Sequence, residues 1–348
     1  MTSRERPLRV VVADDSDSVR TLITSFLVED GIDVVGDATD GLHAVDLVTE
    51  LRPDVVTMDI LMPRLDGLAA TAAIMTHVPT PIVVVCDTSR FGQVDLSFQA
   101  MTAGALEVIP KPSGTMPVRQ WGRRLTESVR LMADVPLVRR RRGSVADIAQ
   151  YRDLRYRLEA FGIVASTGGP PAVAQLLGAL PAGYCVPLLV VQHIAPGFTR
   201  GLARWLDGIT PLHVVEAEDG AHLEGGTVYL PPDGHEMIVG DGGVLRVSAC
   251  RSPEHGPSGD RLLESLAAAY GSRAGGAVLT GMGDDGARGL RAIRERGGFT
   301  MAQDEASSVV WGMPAAAMRM GATDQLFPIE HMAIKLVQLG SESKGKGR

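Results

Sequence analysis

The residues FGIVASTGGPPA at positions 161–172 place a serine where a buried strand passes into a helix. The apolar run 161–165 predicts the strand, and Gly168, Gly169 and Pro170 end it. In an open α/β sheet such a turn lies at the carboxyl edge of the strands, where N–H groups at the helix start face a ligand. The pattern therefore predicts an α/β sheet with Ser166 at its ligand edge. A serine that only caps the following helix would leave the same pattern.

Two more strand ends in the second half of the chain carry polar side chains. The apolar run 187–191 ends at Gln192 and His193, and the run 277–280 leads into the residues GMGDDG at 281–286. A serine, a histidine and an aspartate supply the parts of a hydrolytic triad, because imidazole can take the serine proton and a carboxylate can orient the ring. Residues 216–220, 227–231 and 236–247 are predicted as further β segments.

The same glycine-rich loop supports a competing interpretation. Gly281, Gly283 and Gly286 match the dinucleotide-binding fingerprint, with a strand before them, a helix after them and Asp304 downstream. However, Asp284 and Asp285 would face a pyrophosphate with charge of the same sign. The loop also comes late in its domain, whereas the fingerprint belongs to the first strand. A hydrolytic triad is therefore favoured over dinucleotide binding.

The first 134 residues repeat a unit of one apolar strand and one amphipathic helix five times. Such alternation predicts a parallel sheet covered on both faces, and five units fit a flavodoxin-like domain. The predicted strands are 8–13, 32–35, 54–58, 82–85 and 106–109, and the predicted helices are 18–27, 41–51, 66–77, 93–103 and 118–132.

Charged side chains follow three of these strands. Asp14 and Asp15 end the first, Asp59 ends the third and Lys111 ends the fifth, so a parallel sheet brings them to one edge. Neighbouring carboxylates repel one another unless a cation neutralises them, and Mg²⁺ is the divalent ion that such oxygen ligands suit. With Mg²⁺ and Lys111 screening the charge, one carboxylate could accept a phosphoryl group. Asp59, the central one, is the best acceptor.

Composition sets the remaining limits. The chain has 348 residues, 45% of them hydrophobic, which indicates a globular protein of about two domains. A net charge of −7 disfavours a general nucleic-acid partner. Three scattered cysteines favour the reducing cytoplasm over a disulfide framework. No apolar run is long enough to insert into a membrane, and the amino terminus lacks an export signal.

A basic connector separates the two halves. Residues 139–142 are four consecutive arginines, which predicts an exposed linker that either stays solvated or docks on an acidic partner. The predicted domains are the flavodoxin-like domain over residues 1–134, the arginine-rich linker over 135–160 and a catalytic domain over 161–340. Residues 341–348 are predicted to be a disordered tail.

The first domain resembles the response-regulator receivers. The matching residues are Asp14-Asp15, MDILMPRLDG at 58–67 and Lys111-Pro112. The resemblance implies that a histidine kinase phosphorylates Asp59, that Asp14, Asp15 and Asp59 hold Mg²⁺, and that Lys111 contacts the phosphoryl oxygens. Cys86 stands where receivers usually carry a serine or threonine hydroxyl, and Val108 where they often carry an aromatic ring. We therefore expect weak coupling between phosphorylation and activity, since a thiol is a poor hydrogen-bond donor.

The whole chain resembles the CheB family of chemotaxis protein-glutamate methylesterases. The motifs are ASTGGPPA at 165–172, VVQHIAPGFT at 190–199, LTGMGDDGARGL at 279–290 and AQDEASSVVWGMP at 302–314. The resemblance implies a phosphorylation-regulated cytoplasmic enzyme that hydrolyses glutamyl methyl esters on chemoreceptors and also deamidates receptor glutamines, with no cofactor in the esterase site.

The same resemblance assigns roles to residues. Ser166 is the implied nucleophile, His193 the general acid and base, and Asp285 the partner of His193. Asp284 is the alternative partner. The Met282 backbone N–H is the implied oxyanion donor, and Thr167 supports the nucleophile. One non-enzymatic interpretation remains, in which a receiver is fused to an inactive α/β module that binds a partner.

Overall fold

The computed structural model describes residues 6–87, 93–112, 117–135, 157–250, 256–323 and 325–340. The chain divides between Arg139 and Arg140 into two compact units, each with a parallel sheet of its own. The predicted arginine cluster at 139–142 and the predicted tail at 341–348 lie outside the described residues. No helix among the described residues is at once long enough and apolar enough to cross a membrane.

The first unit is a five-stranded parallel sheet with helices between its strands. The strands are β1 (Arg9–Ala13), β2 (Asp33–Ala38), β3 (Val55–Met58), β4 (Ile82–Cys86) and β5 (Glu107–Pro110); the helices are α1 (Asp17–Glu29), α2 (Gly41–Leu51), α3 (Gly67–His77), α4 (Gln93–Ala103) and α5 (Val118–Ala133). The strand order is β2-β1-β3-β4-β5, and every neighbouring pair is parallel. This order confirms the predicted flavodoxin-like fold.

Burial and capping explain why these elements form where they do. Every residue of β3 and β4 is buried, as expected for central strands covered on both faces. Helix α1 packs beside α5, whereas α2, α3 and α4 lie side by side. The Asp40 side chain accepts hydrogen bonds from the first turn of α2, and Asp66 does the same for α3.

The second unit is a seven-stranded, doubly wound parallel sheet, as predicted. Its sheet strands are β6 (Ala160–Ala165), β7 (Leu188–Gln192), β8 (His213–Glu216), β9 (Thr227–Leu230), β12 (Ala274–Val278), β13 (Phe299–Gln303) and β14 (Leu326–Phe327), in the order β14-β13-β12-β6-β7-β9-β8. A separate antiparallel hairpin consists of β10 (His235–Val239) and β11 (Leu245–Ala249). The helices are α6 (Gly169–Gly178), α7 (Thr199–Ile209), α8 (Gly259–Tyr270), α9 (Ala287–Glu295), α10 (Met313–Arg319) and α11 (Ile329–Gly340).

The strand order reverses at the centre of this sheet. From β6 the chain runs to β7 on one side and later returns to β12 on the other side. In open α/β sheets, ligands bind outside the carboxyl ends of the strands at such a switch point. The turns after β12, β6 and β7 therefore surround the expected binding crevice. Helix α8 packs closely over β6 and β12, since a Cβ placed on Gly162 of β6 would lie 2.4 Å from Leu263.

One predicted strand is displaced along the chain. The prediction at residues 216–220 is wrong, because β8 spans His213–Glu216 and the chain turns at Asp219 and Gly220. Val214 is buried in β8, and its neighbours along the strand are more exposed. An edge strand with so few buried residues gives only a weak periodic signal.

Candidate functional site

The predicted nucleophile lies in the turn between β6 and α6. The Ser166 backbone N–H donates to Thr280 O at 3.0 Å, and Ser166 O accepts from Gly169 N at 2.7 Å. Gly168 adopts a left-handed conformation at φ +73°, which lets the chain turn sharply into α6. The turn therefore places Ser166, half-buried, at the carboxyl edge of the sheet.

His193 follows the neighbouring strand at the same level. The last register pair of β6 and β7 is Ala165 and Gln192, and the His193 N–H donates to Ala165 O at 2.9 Å. Neighbouring strands lie about 4.8 Å apart, so Ser166 and His193 extend from adjacent strand ends. The Ser166 hydroxyl has no hydrogen bond to a described residue. Rotation about χ1 therefore breaks no hydrogen bond of Oγ within the described part of the chain.

The ring of His193 is bound through one nitrogen. Nε2 lies 2.9 Å from Asp285 Oδ2 and 3.1 Å from Pro257 O. A carboxylate and a carbonyl oxygen both accept hydrogen bonds, so the network assigns the proton of the neutral ring to Nε2. Nδ1 then carries the lone pair. The neutral imidazole can therefore accept a proton at Nδ1 while Asp285 holds the opposite side of the ring.

Asp285 is itself held by the start of α8. Its Oδ2 accepts from Gly259 N at 2.6 Å, and its Oδ1 accepts from Asp260 N at 2.9 Å. Burial favours the neutral acid, but the hydrogen bonds from His193 and from these two N–H groups outweigh it and lower the pKa of Asp285 below its usual value. The positive end of the helix dipole acts in the same direction. Asp285 is thus an ionised partner for His193.

The structure separates the two candidate aspartates. Asp284 is exposed, and its backbone carbonyl accepts from Ala287 N at 3.0 Å in the turn that begins α9. Of the two aspartates, it is Asp285 whose carboxylate binds the His193 ring. The glycines of the dinucleotide fingerprint do lie between β12 and α9, but the ionised carboxylate of Asp285 lies in the same loop, where it would repel a pyrophosphate.

The loop after β12 also approaches the serine closely. A Cβ placed on Gly281 would lie 2.6 Å from Ser166 Cβ and 2.3 Å from Met313 Sδ, so only glycine fits there. Gly281 N donates to Val310 O at 2.9 Å, which fixes the loop. The next residue, Met282, has a half-exposed side chain, and its N–H makes no hydrogen bond to a described residue. This N–H is therefore available to an oxygen atom bound in the crevice.

Thr280 and Gln303 support the site, although neither was predicted from the sequence. Thr280 Oγ1 donates to Thr167 O at 2.9 Å and accepts from Val310 N at 2.9 Å. Gln303 Oε1 accepts from Thr280 N at 2.8 Å. Through these bonds the backbone of Thr167, beside the nucleophile, is tied to β12 and β13. Both Thr280 and Gln303 could have been found from the sequence, because each is a polar residue at the end of an apolar run, the same pattern that predicted His193.

The first unit brings its predicted charged residues together. Asp14, Asp15 and Asp59 each offer a carboxylate oxygen, and these atoms lie within 4.8 Å of one another. Lys111 Nζ lies 2.7 Å from Asp14 Oδ2 and 2.9 Å from Asp59 Oδ2. Burial raises the pKa of Asp59 to about 6, and the Asp14 charge adds to the rise while Lys111 opposes it. Three oxygen ligands at this spacing fit a hard divalent ion such as Mg²⁺.

The two unusual receiver positions are both buried. Cys86, at the end of β4, accepts a hydrogen bond from Ser97 Oγ of α4 at 3.1 Å. Burial raises the pKa of its thiol to about 11, so the group stays neutral. Val108 packs in β5. The end of β4 therefore carries a neutral thiol where receivers usually carry a hydroxyl.

Similarity to known proteins extends over both units. Residues 10–120 match the family model of the response regulator receiver domain, and residues 161–336 match that of the CheB methylesterase. A Myxococcus xanthus protein named protein-glutamate methylesterase/protein-glutamine glutaminase 3 is 52% identical over 97% of this chain and 95% of its own length. An Anaeromyxobacter dehalogenans protein of the same name, numbered 2, is 42% identical over 96% of this chain and 98% of its own. The crystal structure of the Thermotoga maritima CheB methylesterase catalytic domain is 34% identical, with a TM-score of 0.50, and covers 52% of this chain and 98% of that one.

Proposed function

The chain belongs to the CheB methylesterase family, and from that premise we propose that Ser166, His193 and Asp285 form its catalytic triad. The protein is a receiver-linked protein-glutamate methylesterase with protein-glutamine glutaminase activity. The observation that carries the assignment of the triad is the bond from His193 Nε2 to Asp285, because it leaves Nδ1 as the basic nitrogen of a residue that follows the strand next to that of Ser166.

In the first half of the reaction, Ser166 Oγ attacks the γ-carbonyl carbon of a glutamyl methyl ester. His193 Nδ1 takes the serine proton, and the ionised Asp285 stabilises the imidazolium that forms. When the tetrahedral intermediate collapses, the ester C–O bond breaks and methanol leaves with the proton from Nδ1. The product of this half is a glutamyl ester of Ser166.

In the second half, His193 Nδ1 takes a proton from water, whose oxygen attacks the acyl carbon. Collapse releases glutamate, and Ser166 Oγ regains its proton. In each half the negative oxygen accepts a hydrogen bond from the Met282 N–H, a donor of the kind worth about 3 kcal/mol. A glutamine side chain follows the same route, with ammonia leaving in place of methanol.

For regulation and cellular context, we propose that the substrates are chemoreceptors and that a histidine kinase is the source of the phosphoryl group on Asp59. Bound to Asp14, Asp15 and Asp59, Mg²⁺ would neutralise charge on the incoming phosphoryl group. Lys111, already between Asp14 and Asp59, would contact a phosphoryl oxygen. The three cysteines are all free, which supports a location in the reducing cytoplasm.

The test uses membranes that carry receptors with isotopically labelled methyl esters. The full-length protein should release labelled methanol, and Ser166→Ala should reduce the rate at least about 1000-fold. Ser248→Ala, on the exposed strand β11, is the matched control and should keep the wild-type rate. Methanol release by Ser166→Ala at the control rate would overturn the assignment. Receptor binding without any methanol release by the wild type would favour a non-catalytic binding module.

A further inference from the structure

A buried carboxamide links the two strand ends that carry the nucleophile and the base. Gln192, the last residue of β7, is 5% exposed. Its Nε2 donates to Ser166 O at 2.8 Å and to His193 O at 2.9 Å. Both partners are carbonyl oxygens, which only the –NH₂ group can satisfy, so the orientation of the amide is determined by its contacts. One side-chain group thus spans the backbones of both residues.

The other end of the amide has no such partner. Gln192 Oε1 is buried and makes no hydrogen bond to a described residue. A Cβ placed on Gly169 would lie 2.1 Å from this oxygen, so the glycine at the start of α6 makes room for the amide. The unpaired acceptor costs stability, which offsets part of what the two bonds from Nε2 contribute. What an apolar side chain of similar size could not reproduce is the link that Nε2 makes between the two backbones.

The bonds from Gln192 lie beyond the regular pairing of the strands. The register of β6 and β7 ends at Ala165 and Gln192, and one backbone bond, His193 N to Ala165 O, follows it. The carbonyls of Ser166 and His193 are further along, where the two chains diverge into different turns. A displacement of about 1 Å between reacting groups can lower a rate about 100-fold.

We propose that Gln192 is a positioning residue that sets the separation of Ser166 from His193. The inference rests on the proposed triad and adds to it a group that does not touch the substrate. Its amide acts on the backbone of both residues at once, so its loss changes how they face each other rather than how tightly the receptor binds.

The experiment compares Gln192→Met, which keeps the volume but removes both donors, with the wild-type full chain. Methanol release is measured against the concentration of methylated receptor. We expect kcat to fall about 10- to 100-fold while KM stays within about twofold. Inactivation by phenylmethanesulfonyl fluoride, which reports on the reactivity of Ser166, should slow by a similar factor. Gln192→Glu, which keeps the shape and can donate at most one hydrogen bond, serves as a second variant in case Gln192→Met does not fold.

Thr323→Val is the matched control for loss of a buried hydrogen bond. Thr323 is 2% exposed, and its Oγ1 donates to Thr300 O at 3.0 Å, away from the triad. This variant should lose stability but keep kcat and the inactivation rate. Values of kcat within twofold of this control in the folded Gln192 variants would overturn the inference. If neither the wild type nor Thr323→Val released methanol, the proposed function itself would fail, which is a separate result.

Discussion

In the proposed triad, the position of one proton on His193 controls the chemistry. With Asp285 ionised and bound to Nε2, the neutral ring keeps its proton there and presents a lone pair at Nδ1. A neutral amide in place of the carboxylate can donate to Nε2, which would favour the tautomer with the proton on Nδ1. That tautomer cannot take a proton from Ser166.

The first prediction follows for Asp285→Asn. We expect kcat for methanol release to fall about 1000- to 10,000-fold, as when a triad carboxylate becomes an amide. Asp284→Asn, which changes the exposed neighbour in the same loop, should stay within about twofold of the wild type. If Asp284→Asn is instead the variant with the large loss, the roles of the two aspartates are reversed.

The sequence predicted the individual residues of the site better than their partners. Ser166 and His193 could be predicted because each follows a run of buried residues, and that pattern is local. The strand-end pattern alone could not choose between Asp284 and Asp285, since both lie in one loop, and only the resemblance to the CheB family favoured Asp285. The decision depends on the start of α8, which binds Asp285 from 26 positions earlier in the chain. Likewise, Gln192 and Thr280 act through contacts that only the folded sheet creates.

Among the strands, too, those with a strong local burial pattern were predicted better than those without one. The fully buried strands β3, β4, β6 and β7 were predicted within one or two residues, because their side chains are covered on both faces. The equally buried β12 begins three residues before its predicted run of 277–280, because Gly275 and Gly276 interrupt the apolar pattern. The edge strand β8 was misplaced, since it buries little. The two-residue strand β14 lies at the other edge and was not predicted, and strands so short have no measurable period.

The contact between α8 and Asp285 predicts how stability depends on pH. The pKa of Asp285 is lower in the folded protein than its unfolded value of about 3.9, so its ionised form stabilises the fold above that value. This contribution is lost as the pH falls through the lower, folded pKa. We therefore expect Asp285→Asn to be less stable than the wild type by about 1–3 kcal/mol at pH 7, with the gap narrowing below about pH 4.

Chemical denaturation of both proteins at a series of pH values measures this gap. Groups that do not contact residue 285 cancel in the difference, and the decisive comparison lies between pH 5 and pH 3, where carboxyl groups titrate. A gap that stays constant from pH 5 to pH 3, or widens over that range, would contradict a carboxylate stabilised by the helix start.

The two units combine a phosphorylation site with an esterase in one chain, and the end of β4 bears on how strongly they are coupled. In this protein Cys86 presents a buried thiol whose raised pKa, about 11, keeps it neutral. A neutral thiol is a weak hydrogen-bond donor and attracts a phosphoryl oxygen poorly. Phosphorylation of Asp59 should therefore shift the receiver toward its activating conformation less than it would with a hydroxyl at this position.

The last prediction concerns this coupling. Typical allosteric couplings change an affinity about 5- to 150-fold. On addition of acetyl phosphate and Mg²⁺, we expect the esterase rate of the wild type to rise by less than about fivefold, below that range. Cys86→Ser replaces the thiol by a smaller hydroxyl at the same buried position and should raise the response several-fold. Asp59→Asn provides the blank, because it lacks the acceptor carboxylate. Equal responses from the wild type and Cys86→Ser would show that the hydroxyl at the end of β4 does not limit the coupling, and a large response from the wild type would refute the weak coupling itself.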